Sequence, residues 1–311
     1  MKKTYLTPAI AGITSLLAVS VSAQSSKHAV DPVVERSYES NIVGHLGISA
    51  GYNGVREFDG SSQLDDGDVW FAAVDGSITI PFATTWLITL DAYARYDDFE
   101  SADNIDSDED PEWEYTLGGH LLYQFTPDTR AGLLVGYGDT RPQDNDRGDA
   151  YDVWMVGGEL HHFISDDLMF YTQFGYAFKG RDGQDDDEGY SGGLFGRVGA
   201  TYFIGERSTL NLDVEFAGTT NYSDDEHGRF FGGTLSYLQQ LGDSSPLYFT
   251  CFGRYDHING LDEGGVDEWQ VGIGLRYVFG AGSQRDAARK GASIGMPRLP
   301  TRASAWTEYI D

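Results

Sequence analysis

Cysteine is nearly absent. Cys251 stands alone in 311 residues, so no internal disulfide framework is available. Proline is sparse, at 9 residues, and beyond the first two dozen positions no run of eighteen apolar residues occurs. That part of the chain therefore offers no transmembrane helix. Basic residues are also scarce, 21 against 49 acidic ones, for a formal net charge of −28. Long-range repulsion on that scale argues against nucleic acid and anionic substrates as partners. The most informative absence is local. Along twelve short segments every second residue forms a face without a single Asp, Glu, Lys or Arg, in a chain that is 23% charged. Charge facing lipid costs roughly 2–4 kcal/mol for Arg or Lys at the bilayer midplane, so a purged face is what lipid selects.

The pattern is clearest over residues 86–97. Trp86, Ile88, Leu90, Ala92, Ala94 and Tyr96 share one face, and Thr89, Asp91, Tyr93, Arg95 and Asp97 share the other. Period two with apolar against polar predicts a half-buried strand. The same reading predicts strands at Ile42–Tyr52, Trp70–Ile80, Trp113–Phe125, Ala131–Tyr137, Trp154–His162 and Leu168–Phe178. It continues through Tyr190–Ile204, Leu210–Phe216, Phe231–Leu241, Leu247–Tyr255 and Trp269–Phe279. A soluble sandwich or propeller also alternates, but its strands are nearer five or six residues long and its outer face carries charge. The expected fold is all-β: a transmembrane antiparallel up-and-down β-barrel of twelve strands. An open sheet would leave unsatisfied backbone groups in lipid.

Connections alternate in length. Short ones, such as Thr126–Thr129, Ile164–Asp167 and Gly205–Ser208, are rich in turn formers, while long acidic ones lie at the opposite end. Tyr52, Trp70, Tyr96, Trp113, Tyr137, Trp154 and Trp269 collect where strands meet the long loops, as amphipathic rings do at a lipid–water boundary. Gly192, Gly193, Gly196 and Gly199 fall inside a strand with no helix following, so they favour curvature or close packing over phosphate binding.

The last strand, Gly272-Ile273-Gly274-Leu275-Arg276-Tyr277-Val278-Phe279, resembles the assembly signal at the final strand of Gram-negative outer-membrane barrels and porin-like proteins. The resemblance covers roughly residues 41–279 and is one of pattern. Family members usually stop at that Phe, whereas this sequence continues to Asp311. The resemblance implies the bacterial outer membrane, with short turns and both ends in the periplasm. Lys2, Lys3, the apolar stretch Ala9–Val21 and the small residues Val21-Ser22-Ala23 read as a cleavable signal peptide, residues 1–23. Residues 24–40 are then a periplasmic linker, 41–279 the barrel, and 280–311 a basic periplasmic tail or plug. For that tail a disordered extension comes first, an insertion into the acidic lumen second, and a contact with peptidoglycan or a partner third.

On the inward phase, Asp75, Asp91, Glu114, Glu159, Asp213, Glu215 and Asp256 oppose Arg95, Arg130, Arg197, Arg254 and Arg276. Cross-lumen pairs would lock the interior; a watery pore would use the same groups as a filter. Asp91, Arg95, Glu159, Asp213, Glu215, Arg254 and Arg276 are the proposed lumen-lining set. The expected function is a channel for passive diffusion of small solutes, cation-preferring because of its carboxylates. The alternative is a non-conducting surface barrel whose acidic loops bind divalent cations, envelope components or partners.

Catalysis is not expected. Asp256-His257-Ile258-Asn259-Gly260 faintly resembles the His-x-Ser-Asn-Gly motif of the outer-membrane phospholipase A family, but Ile258 stands where the nucleophile belongs. His161 and His162 point to opposite faces of a strand and cannot share a metal. No cofactor is expected. Between Asp97 and Glu112 lie nine carboxylates and no cation. There Asp106, Asp108 and Asp110 begin like a calcium loop, but Pro111 and Leu117 replace its Gly and Glu. A solvated acidic surface is the favoured reading, with Ca²⁺ or Mg²⁺ held loosely if at all, and bridging to lipopolysaccharide as a further partner interaction.

Overall fold

Each alternating segment presents one lipid-compatible face and a full row of backbone donors and acceptors that only neighbouring strands can satisfy. The computed structural model describes residues 42–58, 67–99, 112–141, 151–179, 192–220, 227–243, 245–259 and 265–298. In it twelve antiparallel strands close into a ring. They are β1 (Val43–Phe58), β2 (Gly67–Pro81), β3 (Trp86–Phe99), β4 (Glu112–Thr126), β5 (Thr129–Arg141) and β6 (Tyr151–Ser165). The second half comprises β7 (Leu168–Lys179), β8 (Gly192–Ile204), β9 (Ser208–Thr220), β10 (His227–Gln240), β11 (Leu247–Asn259) and β12 (Gly265–Phe279). β1 closes on β12 from Gly44 opposite Phe279 to Phe58 opposite Gly265, so the ladder has no open edge.

The twelve strands expected from alternation are all present, but several run longer. β1 continues past Tyr52 to Phe58, and β9 spans Ser208–Thr220 where alternation marked only Leu210–Phe216. Alternation records only the part of a strand that meets lipid. Beyond the bilayer the hydrogen-bond ladder persists while water accepts charge on either face.

The outer wall carries the large exposed apolar side chains, among them Leu46, Leu90, Leu133, Leu212 and Ile273. Two aromatic belts bound it. At the long-loop end Tyr52 meets Trp70 and Trp269 with ring centroids 5.3 and 5.4 Å apart, and Tyr96 meets Trp113 at 4.9 Å. At the short-turn end Trp86 meets Tyr123 at 4.9 Å. From Trp86 to Tyr96 on one tilted strand the rise is about 23–27 Å, the height of an outer-membrane apolar band. Short turns are tightened by side chains: Thr126 Oγ1 accepts from the Asp128 amide at 3.3 Å and Ser165 Oγ from the Asp167 amide at 3.3 Å. Gly205 takes φ +64° in the β8–β9 turn, a value L side chains adopt at a cost.

After β12 the chain turns inward. Gly280, at φ +74°, reverses it at the short-turn end, and a short helix α1 (Gln284–Arg289) follows. Ser283 caps α1, its Oγ accepting from the Asp286 amide at 3.1 Å. Residues 290–298 then run irregularly up the lumen. An unstructured extension was the first expectation for this tail, but these residues are held against the barrel wall by the contacts described next.

Candidate functional site

The strand pleat sends the polar phase of all twelve strands inward, and this produces the site. Asp91, Arg95, Glu159, Asp213, Glu215, Arg254 and Arg276 all stand on the lumenal wall, and each has a charged partner there. Arg95 Nε donates to Asp97 Oδ1 at 2.7 Å, and its guanidinium lies 4.4 Å from the Phe71 ring centroid. Arg254 spans two carboxylates, Asp256 at 2.7 Å and Glu215 at 3.4 Å. Arg197 reaches Asp213 at 3.2 Å and Glu215 at 3.5 Å, while Arg276 reaches Asp75 at 3.1 Å. His120, absent from the sequence-derived set, bridges Asp91 at 2.6 Å and Glu159 at 2.8 Å. Glu159 also accepts from Gln173 Nε2 at 3.1 Å. Pairing of this density is how a low-dielectric wall tolerates charge.

The C-terminal segment completes the site, and its contacts follow a different logic from simple charge attraction. Its basic residues Arg285 and Arg289 stay at the mouth, whereas Arg298 lies deeper. Arg285 meets Asp167 at 2.9 Å, and Arg289 meets Asp166 at 3.0 Å and also pairs with Asp128. Its deeper part is nearly neutral and is held by donors of the barrel acting on its backbone. Arg130 Nη2 donates to the Ala288 carbonyl at 2.6 Å, Arg197 Nη1 to that of Ile294 at 3.0 Å, and Gln173 Nε2 to that of Gly295 at 3.0 Å. In the other sense, Ser293 Oγ donates to Asp91 at 2.7 Å and the Arg298 amide to Glu215 at 3.1 Å. Arg298 also covers the Tyr93 ring, 4.1 Å from its centroid.

Apolar packing fixes the same segment. Ala288 packs into a cluster of Phe163, Met169, Tyr171 and Phe203, and Ala287 into one of Leu238, Tyr248 and Val278. These wall residues stand on the inward phase. In an open watery lumen they would expose apolar surface, and α1 covers it. Their apolar character is legible in the sequence, and a search of the inward phase for charges alone misses it. Opposite the segment, a cavity of about 250 Å³ remains, lined by polar groups that include His45, Ser49, Thr234, Thr250 and Gln270.

Two arrangements imitate active sites. Ser77 Oγ and His45 Nδ1 are 2.9 Å apart, and His45 Nε2 lies 2.7 Å from Asp75, the composition of a nucleophilic triad. Ser77 is only 6% exposed and does not line the cavity, while Asp75 is already engaged by Arg276. The chain of bonds orients His45 across β1 and β2 and gives substrate no access to a nucleophile. His257 bonds Asp267 at 2.7 Å near the end of β11, and among the described residues no serine bonds it. As their strand positions require, His161 is buried against Arg130 and Glu159, whereas His162 bonds Thr129 on the other face. Among the described residues no cluster of His, Cys, Asp and Glu has metal-binding geometry. Asp106, Asp108 and Asp110 lie outside the described residues, as do the signal-peptide and linker positions.

No family model matches the chain, and no curated protein matches it. Solved structures do. The barrel is similar to the COG4313 outer membrane channel from Pseudomonas putida F1, with a TM-score of 0.56 and 10% identity over 81% of this chain and 100% of that one. The CymD monoaromatic hydrocarbon channel aligns at a TM-score of 0.46 and 11% identity, covering 77% of this chain and 89% of its own. The KdgM porin aligns at 0.41 and 9%, covering 74% and 99%. The fold is therefore that of an outer-membrane channel barrel of twelve strands.

Proposed function

We propose that this chain is a porin-like outer-membrane channel for passive diffusion of small solutes, with a preference for cations. One observation carries the reading: a closed ring of twelve strands separates an outer wall free of charge between its aromatic belts from an interior lined by polar and charged side chains around a cavity. Eight strands already leave room for little more than side chains, so twelve leave space that needs a use. Solutes would pass on the β9–β12 and β1 side, beside the C-terminal segment, where Ser49, Thr234, Ser236 and Thr250 offer hydroxyl groups. Selectivity would arise from lumenal carboxylates and from the acidic connections, which raise local cation concentration. Lipid and the lipopolysaccharide of the outer leaflet are the expected surroundings, with divalent ions loosely held at Asp106, Asp108 and Asp110.

A second reading has its own observation. Residues 280–298 enter the lumen and bind its wall, which suits a barrel that is closed at rest and acts through its surface. Single-channel current from refolded residues 24–311 in a planar bilayer, under a KCl gradient, separates the two. Discrete steps with a cation-selective reversal potential support the channel. Silence from correctly folded barrels supports the surface reading.

A further inference from the structure

We infer that residues 283–298 form a removable plug, docked in a receptor that the lumen wall builds for a short helix and the small-residue stretch that follows it. The functional consequence, a gated lumen, rests on the channel reading; the docking does not.

Three observations carry it. First, Gly118 of β4 and Gly136 of β5 are direct cross-strand partners, and both face the lumen. Met296 lies in the space they clear: a Cβ at Gly118 would overlap Met296 Cγ, and one at Gly136 would overlap Met296 Cε, with Met155 alongside. Two paired glycines weaken a strand interior, so a side chain seated there gives them a purpose. Second, the wall reads the backbone of the segment. Arg130, Gln173 and Arg197 donate to its carbonyls, Thr79 Oγ1 donates to the Gly291 carbonyl at 3.1 Å, and Glu215 accepts from the Arg298 amide. Such recognition needs close approach. Gly291, at φ +97°, supplies it, since a Cβ there would overlap Leu87 and the conformation itself disfavours other residues. Third, apolar residues of six strands stand together on the inward phase where Ala287 and Ala288 cover them.

The segment is separable because the barrel is complete without it. All twelve ladders close strand to strand, and the segment contributes no ladder bond. It joins the barrel through Gly280, and the ion pairs at its mouth involve exposed partners, which hold weakly and yield to salt. Withdrawal toward the short-turn end would exchange wall contacts for water and leave the strands in place.

The test uses the full chain. Met296→Asp alters only the segment and puts a charge in the glycine socket. With Cys251→Ala as background, Ser293→Cys reports docking by its reaction with a water-soluble maleimide. Slow labelling that accelerates at least tenfold with Met296→Asp, with at least a threefold rise in unit conductance, is the expected result. Accelerated labelling in barrels that stay silent leaves the plug standing and removes the channel reading. Equal labelling and equal conductance overturn the inference. Should Met296→Asp fail to refold, a disulfide between Gly118→Cys and Met296→Cys decides the matter. Conductance that rises on reduction supports the plug, and conductance indifferent to reduction overturns it.

Discussion

At the scale of single residues, the same strand position obeys opposite rules on its two faces. Leu90 is 53% exposed to the lipid side at mid-strand, while Asp91, one residue on, is held by His120 and Ser293 inside. Leu90→Arg is therefore expected to destabilise the barrel by roughly 2–4 kcal/mol, and Ile42→Arg, beside the membrane boundary, by about 0–1. Guanidinium unfolding in lipid vesicles measures both. Equal costs would place the bilayer elsewhere on β3. Inside, the important residues are the less conspicuous ones. Gly118, Gly136 and Met296 carry no charge and no reactive atom, yet they decide whether a peptide can lie against the wall. His120 is likewise invisible to a search for acids and arginines, although it joins Asp91 to Glu159.

At the scale of elements, strands and the short helix owe their existence to different forces. Each strand is specified locally by alternation and ratified by two neighbours. Helix α1 has six residues, too few to hold together alone, so its cap at Ser283 and its two buried alanines must suffice with the barrel's help. Ala288→Asp would set a carboxylate among Phe163, Met169, Tyr171 and Phe203. Undocking of α1 is the expected result, seen as at least a tenfold faster tryptic cleavage after Arg285 and Arg289, with strand content by circular dichroism unchanged. A loss of strand signal would mean that the helix is part of the barrel's own core.

At the scale of the whole molecule, charge sets the expectation. A net charge of −28 and a lumen rich in carboxylates should give cation selectivity that is steepest in dilute salt. The Debye length falls from about 10 Å at 0.1 M to about 3 Å at 1 M, so the reversal potential under a fixed concentration ratio should shrink over that range. A selectivity constant over that range would point instead to a narrow constriction. Arginine partners offset part of the lumenal carboxylate charge, so the acidic connections add to the expected filter.

The strand pattern, the strand number, the lipid-facing surface and the inward placement of Asp91, Arg95, Glu159, Asp213, Glu215, Arg254 and Arg276 were all legible in the amino-acid sequence. Lipid and water judge each strand residue by its parity, and parity is local. For the basic tail, opposite charge pointed into the lumen only as a second expectation, and Arg285 and Arg289 meet turn aspartates at its mouth. The route of residues 290–298 was decided only by the tertiary structure. It depends on which wall residues stand together once the ring closes: Asp91 beside Ser293, Arg130 beside Ala288, Gly118 beside Met296. Those pairs are separated by more than a hundred positions along the chain, and no periodicity connects them. Closure of the barrel makes them neighbours.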